Sequence, residues 1–307
     1  MNKVCILLAT YNGHKYLKEQ LDSLLNQTYD DFLICIRDDC SSDDTLSIIS
    51  EYVNKYEDRF VVLNTEKNLG FPDCFWRLLK EAPKADFYSF CDQDDVWYPT
   101  KLERAVKRMA SDEIINPGKP KLYYHSYDIC DADGNIIDSY MPGNILDRDI
   151  LKHFFYAYTL GFSMIINGTM RELLLSYEPE GKVIAHDVWS ILNAYYFGDI
   201  YYDEEPQASY RRHEDTVTSA GKGYVPLIKS WWKKEICGNE MEILRGRLAF
   251  FYDRNRGAIL KSDREKFETF INNRGVLSYL KKLFYPRRLK DSFGGELATR
   301  ILFLLNK

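Results

Sequence analysis

Short apolar runs and helix-period stripes alternate through the first third of the chain. Residues 4–9, VCILLA, are apolar between polar flanks, the pattern of a strand buried on both faces. Thr10-Tyr11-Asn12-Gly13 turns the chain, and Tyr16, Leu17, Leu21, Leu24 and Leu25 then recur at helical spacing. A second strand over 32–37 ends in the acidic and hydroxyl-rich stretch 38–45. The following helix is marked by Leu46, Ile49, Tyr52 and Val53, with Ser42 or Asp43 as its cap. A third strand over 60–63 leads through Asn68-Leu69-Gly70 to a helix over 73–81. The fourth strand, 87–91, runs straight into Asp92, Asp94 and Asp95, after which Pro99 and Thr100 open a helix. Thr100 is its expected N-cap, with Glu103 at the capping-box position. This alternation predicts an α/β fold: a mainly parallel, doubly wound sheet with helices on both faces.

Beyond residue 111 the rhythm changes. The pattern predicts one strand over 121–129, a hairpin-type turn at Asp133-Gly134-Asn135, a strand over 162–166, a helix over 187–197 and a strand edge at 200–202. The acids around 133 lack the spacing and terminal glutamate of a calcium loop. From about residue 221 the chain reads as helical, basic and aromatic. The expected organisation is a catalytic domain over 1–220 and a helical appendage over 221–307.

Charge sharpens that division. The formal net charge is −5, yet residues 221–307 hold 19 Lys and Arg against 9 Asp and Glu, while residues 1–220 hold 22 against 37. Seven cysteines, at 5, 35, 40, 74, 91, 130 and 237, form no CxxC pair, which suits reduced thiols in a cytoplasmic protein. The opening MNKVCILLATYN turns polar too soon for a signal peptide, and no run approaches the about 20 apolar residues of a membrane span. The acidic majority argues against nucleic acid as a partner.

Four clusters each follow a predicted strand: Thr10-Tyr11-Asn12, Asp38-Asp39, Asn68-Leu69-Gly70 and Asp92-Gln93-Asp94. Parallel neighbours would bring all four to one rim, where open α/β sheets bind ligands. Tyr11 can stack on a base, and Asp39 can accept a hydrogen bond from a pyrimidine N–H. Carboxylates as close as Asp92 and Asp94 repel unless a cation lies among them, and Mg²⁺ or Mn²⁺ takes oxygen ligands together with substrate phosphate. His186-Asp187-Val188-Trp189 opens a helix; Asp187 reads as a general base or as an N-cap. His213 reads as a metal or diphosphate ligand or as a packing residue. Arg211 or Arg212 can bind diphosphate oxygens bidentately.

ATYNGHKYLKEQLDSLLNQTY, IRDDCSSDDT, NLGF and FCDQDDVWYPTKLE, in that order, resemble an inverting family 2 glycosyltransferase with the GT-A nucleotide-sugar fold, over roughly residues 3–215. CDQDDVW, HDVW at 186–189 and YRRH at 210–213 are similar to bacterial rhamnosyltransferase-like enzymes that build cell-surface polysaccharides. The resemblance implies that Ala9, Thr10, Tyr11 and Asp39 hold the nucleoside, with Asn68, Gly70, Gln93 and Arg211 completing the donor set. Ala9 stands where a proline is commoner, at a backbone contact. It implies Mg²⁺ or Mn²⁺ on Asp94 and Asp92 with His213, and Asp187 as the base that deprotonates the acceptor. Gly161 would shape the acceptor site; Trp189 reads as a wall of that site or as a core tryptophan. The implied donor is dTDP-rhamnose or a UDP-sugar and the implied acceptor a saccharide, polyprenyl-linked or free. A nucleotide-sugar binder without turnover is the other reading.

Two basic, aromatic segments, 225–236 (VPLIKSWWKKEI) and 275–290 (GVLSYLKKLFYPRRLK), either lie on the inner face of the plasma membrane or pack on the catalytic domain with their charges solvated.

Overall fold

The structure, a computed structural model, describes residues 2–155, 159–182, 184–213, 240–272, 275–290 and 293–304. The chain divides into two compact units, Met1–Ile145 with Thr159–His213, and Leu146–Tyr158 with Glu214–Lys307. A single cut after residue 220 differs from this, because a mid-chain segment joins the second unit. Its helix α5 (Ile150–Phe155) sets Phe154 edge-on against Phe251 and Phe267.

The first unit opens with β1 (Val4–Thr10), α1 (Leu17–Leu25), β2 (Phe32–Asp38), α2 (Thr45–Lys55), β3 (Phe60–Val62), α3 (Asp73–Glu81) and β4 (Phe87–Cys91), where the periodicity places them. β5 (Val96–Trp97), α4 (Lys101–Glu113), β6 (Lys121–His125), β7 (Tyr127–Cys130) and β8 (Ile136–Tyr140) follow. After α5 come β9 (Met164–Asn167), α6 (Gly168–Leu175), α7 (His186–Phe197), β10 (Asp199–Asp203) and β11 (Ala208–Arg211). The central sheet has the order β10-β6-β9-β4-β1-β2-β3. It is parallel except at β9, which runs antiparallel between β4 and β6. Its apolar strands explain the pattern: Ile6, Leu8, Ile34 and Ile36 lie in one core with Leu17, Leu21 and Leu24 of α1. Each such side chain contributes about 1.5–3 kcal/mol by leaving water.

Three local expectations differ. The strand expected over 121–129 is two strands in different sheets, because the chain changes sheet at Ser126. There Ser126 donates its N–H to the carbonyl of Asp203 and accepts from the N–H of Gln207, both at 3.0 Å. β7 joins a second sheet of order β5-β11-β7-β8, whose β7–β8 hairpin turns at Asp133-Gly134-Asn135 with Gly134 at φ +86°. The strand expected from 162 starts at Met164, behind a 3₁₀ turn over Gly161–Ser163. The capping box at α4 is not formed: Thr100 donates its hydroxyl to Gln207 and Glu103 accepts from Thr28. Gln27 serves that helix end instead, accepting from the N–H of Leu102 at 3.1 Å.

The second unit adds α8 (Glu240–Asn255), α9 (Lys261–Ile271), α10 (Val276–Leu283) and α11 (Phe293–Leu304). Residues 225–236 lie outside the described residues.

Candidate active site

Register brings the strand ends together. Thr10 pairs with Asp38 and Leu8 with Cys91, so β1, β2 and β4 release their loops at one edge. The chain leads from β1 to β2 on one side, then returns past β1 to β4 on the other. The crevice between β1 and β4 is therefore the switch point of the sheet.

The loops are tied to one another by their own side chains. Gln93 accepts from the N–H of Tyr11 at 2.8 Å and donates to its carbonyl at 3.0 Å. Asn12, at φ +48°, donates its N–H to Ser41 and accepts from the N–H of Ser42, both at 2.8 Å. Asp39 pairs with Arg37 and accepts from the N–H groups of Leu69 and Gly70, which sets the loop after β3. Thr10 is buried and donates its hydroxyl to Asp38 at 2.7 Å. The four clusters thus form one rim. Thr10, Asp39 and Gln93 build it, while Tyr11, 51% exposed, stands open above it with Asn68 exposed nearby in sequence to Gly70. Gln93, expected in the donor-binding set, spends its side-chain amide on the backbone of Tyr11. Ala9, half-buried, lies in the last turn of β1 beside Arg37 of β2.

Beyond β4 the acids sit in low dielectric. Burial, then Asp94, then Asp187 push the Asp92 carboxyl up to about 7. Burial also lifts Asp95 well above the usual range. Asp187 thus lies within electrostatic reach of Asp92. α7 starts there because Trp76 donates its indole N–H to the carbonyl of Ile184 at 2.6 Å, and because His186 packs between Phe75 and Phe90 at 4.3 and 4.4 Å. The N-cap of α7 is Ala185, so the capping reading of Asp187 falls away. Asp187 is 8% exposed, and its Oδ1 accepts from the N–H of Val188 at 2.7 Å.

His213 comes back from β11 to meet Asp94, Nε2 to Oδ2 at 2.7 Å, with its ring against Tyr16 at 4.9 Å. Arg211 does not face a diphosphate. It is 2% exposed and donates to the carbonyls of Asp94 and Ala132 and to the carboxylate of Glu19. Trp189 and Gly161 also leave the acceptor site. Trp189 is core, edge-on to Tyr177 at 5.3 Å. Gly161 is buried, and a Cβ there would fall 2.1 Å from Nε2 of His186, so the position has no room for a side chain.

The most consequential residue without a sequence signal is Lys101. It reads as a solvated lysine at a helix start, yet it is fully buried. Its ammonium donates to the carbonyl of Phe162 at 2.6 Å and lies 3.3 Å from the centre of the Trp97 ring. Burial lowers it to about 7, and Cys91, Asp95 and Asp92 oppose that. Glu19 and Gln20, which donates to Sγ of Cys91, were equally hidden as surface positions of α1.

Among the described residues no three His, Cys, Asp or Glu converge as a closed metal cluster. An oxygen and an imidazole nitrogen do face each other at Asp94 and His213, with Asp92 behind them. A hard cation that completes its shell with water and phosphate needs only one or two such protein ligands. The oxygen of Asp94 and the imidazole of His213 are chemically compatible with such an ion.

Residues 5–142 match the family described as Glycosyl transferase family 2. The chain is 30% identical over 248 residues to an uncharacterized glycosyltransferase, MJ1057, of Methanocaldococcus jannaschii, covering 77% of this chain and 82% of that one. It is 28% identical over 257 residues to the dTDP-rhamnosyl transferase RfbG of Shigella flexneri, covering 75% and 82%. Among solved structures, TarS 1–349 of S. aureus in complex with UDP-GlcNAc shares the fold at a TM-score of 0.57 and 20% identity, over 99% of this chain and 89% of that one. With the GT-A sheet, the rim at its switch point and these relatives, the chain belongs to glycosyl transferase family 2 and is a glycosyltransferase.

Proposed function

We propose that this enzyme transfers a sugar, with inversion, from a nucleoside-diphosphate donor to a hydroxyl of a growing cell-surface polysaccharide or lipid-linked oligosaccharide on the cytoplasmic side. The observation that carries the reading is the rim at the switch point of the sheet, where His213 meets Asp94 at 2.7 Å and Tyr11 stands exposed, with Asp187 close enough for its charge to raise Asp92. The dTDP-rhamnosyl relative favours dTDP-rhamnose as donor, and the fold shared with a UDP-GlcNAc complex keeps UDP-sugars in view.

Tyr11 offers its ring to the base, and the backbone of Ala9 and Thr10 with Asp39 borders the nucleoside. Asp187 takes the proton of the acceptor hydroxyl as its oxygen attacks the anomeric carbon; the bond from that carbon to the diphosphate oxygen breaks, and its electron pair leaves with the nucleoside diphosphate. Mg²⁺ or Mn²⁺, held by Asp94 and His213 with Asp92 assisting, would supply neutralisation of the diphosphate charge. Arg211, Gln93 and Lys101 keep these groups in place without touching substrate.

The test is nucleotide release from a panel of dTDP-, UDP- and GDP-sugars with Mn²⁺, before and after EDTA. EDTA-sensitive release from one donor is expected, with Asp187→Asn retaining nucleotide affinity while transfer falls about 10²–10⁴-fold. Tight donor binding with no release or transfer to any acceptor would favour a binder without turnover. Unchanged transfer in Asp187→Asn would remove it as the base.

A further inference from the structure

In the second unit, α10 has its polarity reversed. Val276, Leu277, Leu280 and the following Phe284 are exposed at spacings of three and four residues, which puts them along one face. The residue this helix buries is Lys282. A helix folded against a core in water does the opposite. α11 adds a second stripe: Phe293, Leu297 and Ile301 are exposed while Leu302 and Phe303 are buried. Arg300 of α11 donates to the carbonyls of Leu283, Tyr285 and Arg287 and so fixes the two helices together at the end of α10. Seven large apolar side chains are thus exposed between residues 276 and 301, a cluster and not the scattered singles of an ordinary surface.

Within the segment that carries α10 the charge has one sign. Residues 275–290 contain five Lys and Arg and no Asp or Glu. Lys281, Arg287 and Arg288 are exposed; the first two reach Glu265 and Asp149. Among the described residues no helix is long and apolar enough to cross a membrane.

We propose that this face docks on an anionic phospholipid bilayer, with Leu277, Leu280 and Phe284 at the headgroup boundary and the basic side chains against lipid phosphates. Apolar stripe and cationic flank together are the signature of a helix lying in the interface plane. The proposal stands apart from the sugar-transfer reading and can fail without it.

Flotation of the full chain with phosphatidylcholine vesicles, with and without phosphatidylglycerol, tests it. Co-flotation is expected with the anionic vesicles and weakens as salt is raised. Arg288→Gln should weaken binding about fivefold. Leu277→Glu with Phe284→Glu should weaken it at least about a hundredfold, in line with the loss of two buried apolar side chains. Both variants should keep the circular-dichroism spectrum and melting curve of the parent, which shows that the chain is folded. The proposal is overturned by no flotation with anionic vesicles, by equal binding to neutral ones, or by a double variant that binds as the parent does. A dimer seen by light scattering and lost in the same double variant would overturn it too, by identifying a second copy as the occupant.

Discussion

Arg211 and His186 show how much of the rim depends on buried side chains with partners inside the protein. Arg211 commits its Nε and both terminal nitrogens to Asp94, Ala132 and Glu19. A lysine has one point charge where these need a planar fork. Arg211→Lys should therefore lower stability by about 2–4 kcal/mol in urea unfolding and weaken Mn²⁺ binding by calorimetry, since the Asp94 loop loses its anchor. Unchanged values in both would show that the loop stands without it. His186 is the pH-sensitive member. Burial brings its imidazole down from 6.5 to about 3, with neither ring nitrogen partnered. Between those values the unfolded chain takes up a proton that the folded chain refuses. Stability from this residue is therefore complete above about pH 6.5 and falls as pH drops, by about 2 kcal/mol at pH 5. His186→Leu, of similar volume, should flatten that part of the curve; an unaltered slope between pH 5 and 7 would contradict the assignment.

At the scale of elements, the turn Gly161–Ser163 and the start of α7 act as one packed joint. Lys101 of α4 holds the carbonyl of Phe162, and the His186 ring fills the space that Gly161 leaves. Gly161→Ala should push α7 and its Asp187 away from Asp92. The expected outcome is at least a tenfold fall in kcat with nucleotide affinity retained, and a stability loss of about 1–3 kcal/mol. Equal losses in kcat and nucleotide affinity would instead place the effect on the donor side. The clamp between β1 and β4 works on that donor side. Gln93→Ala removes two hydrogen bonds to the backbone of Tyr11. Donor affinity should fall about tenfold in titration calorimetry, in line with a net 0.5–1.5 kcal/mol per hydrogen bond, while the metal-binding groups stay in place.

On the scale of the whole molecule, ligand binding and folding are linked. A nucleoside diphosphate with Mn²⁺ at about 100 times its Kd should raise stability by about 2.7 kcal/mol, and Asp94→Ala should abolish most of that gain in thermal unfolding. The acidic first unit gains most from a cation, because its raised Asp92 and Asp95 record carboxylates crowded in low dielectric.

The sequence by itself determined the strand–helix alternation through residue 111, since an apolar run buried on both faces and a 3.6-residue stripe are local patterns. It also determined that Asp92, Asp94, Asp187 and His213 are the residues to examine, because polar groups at predicted strand ends and helix starts stand out. Only the tertiary structure decided which polar side chains face substrate and which hold loops. Arg211, Gln93 and Thr10 have the chemistry of donor ligands, yet their hydrogen bonds are satisfied by partners 28 to 192 residues away. The same distance effect hid Lys101 beneath the acids, moved the chain between sheets at Ser126 and turned Trp189 into the core. No window of the sequence contains those partners, and burial is a property of what packs around a residue rather than of the residue itself.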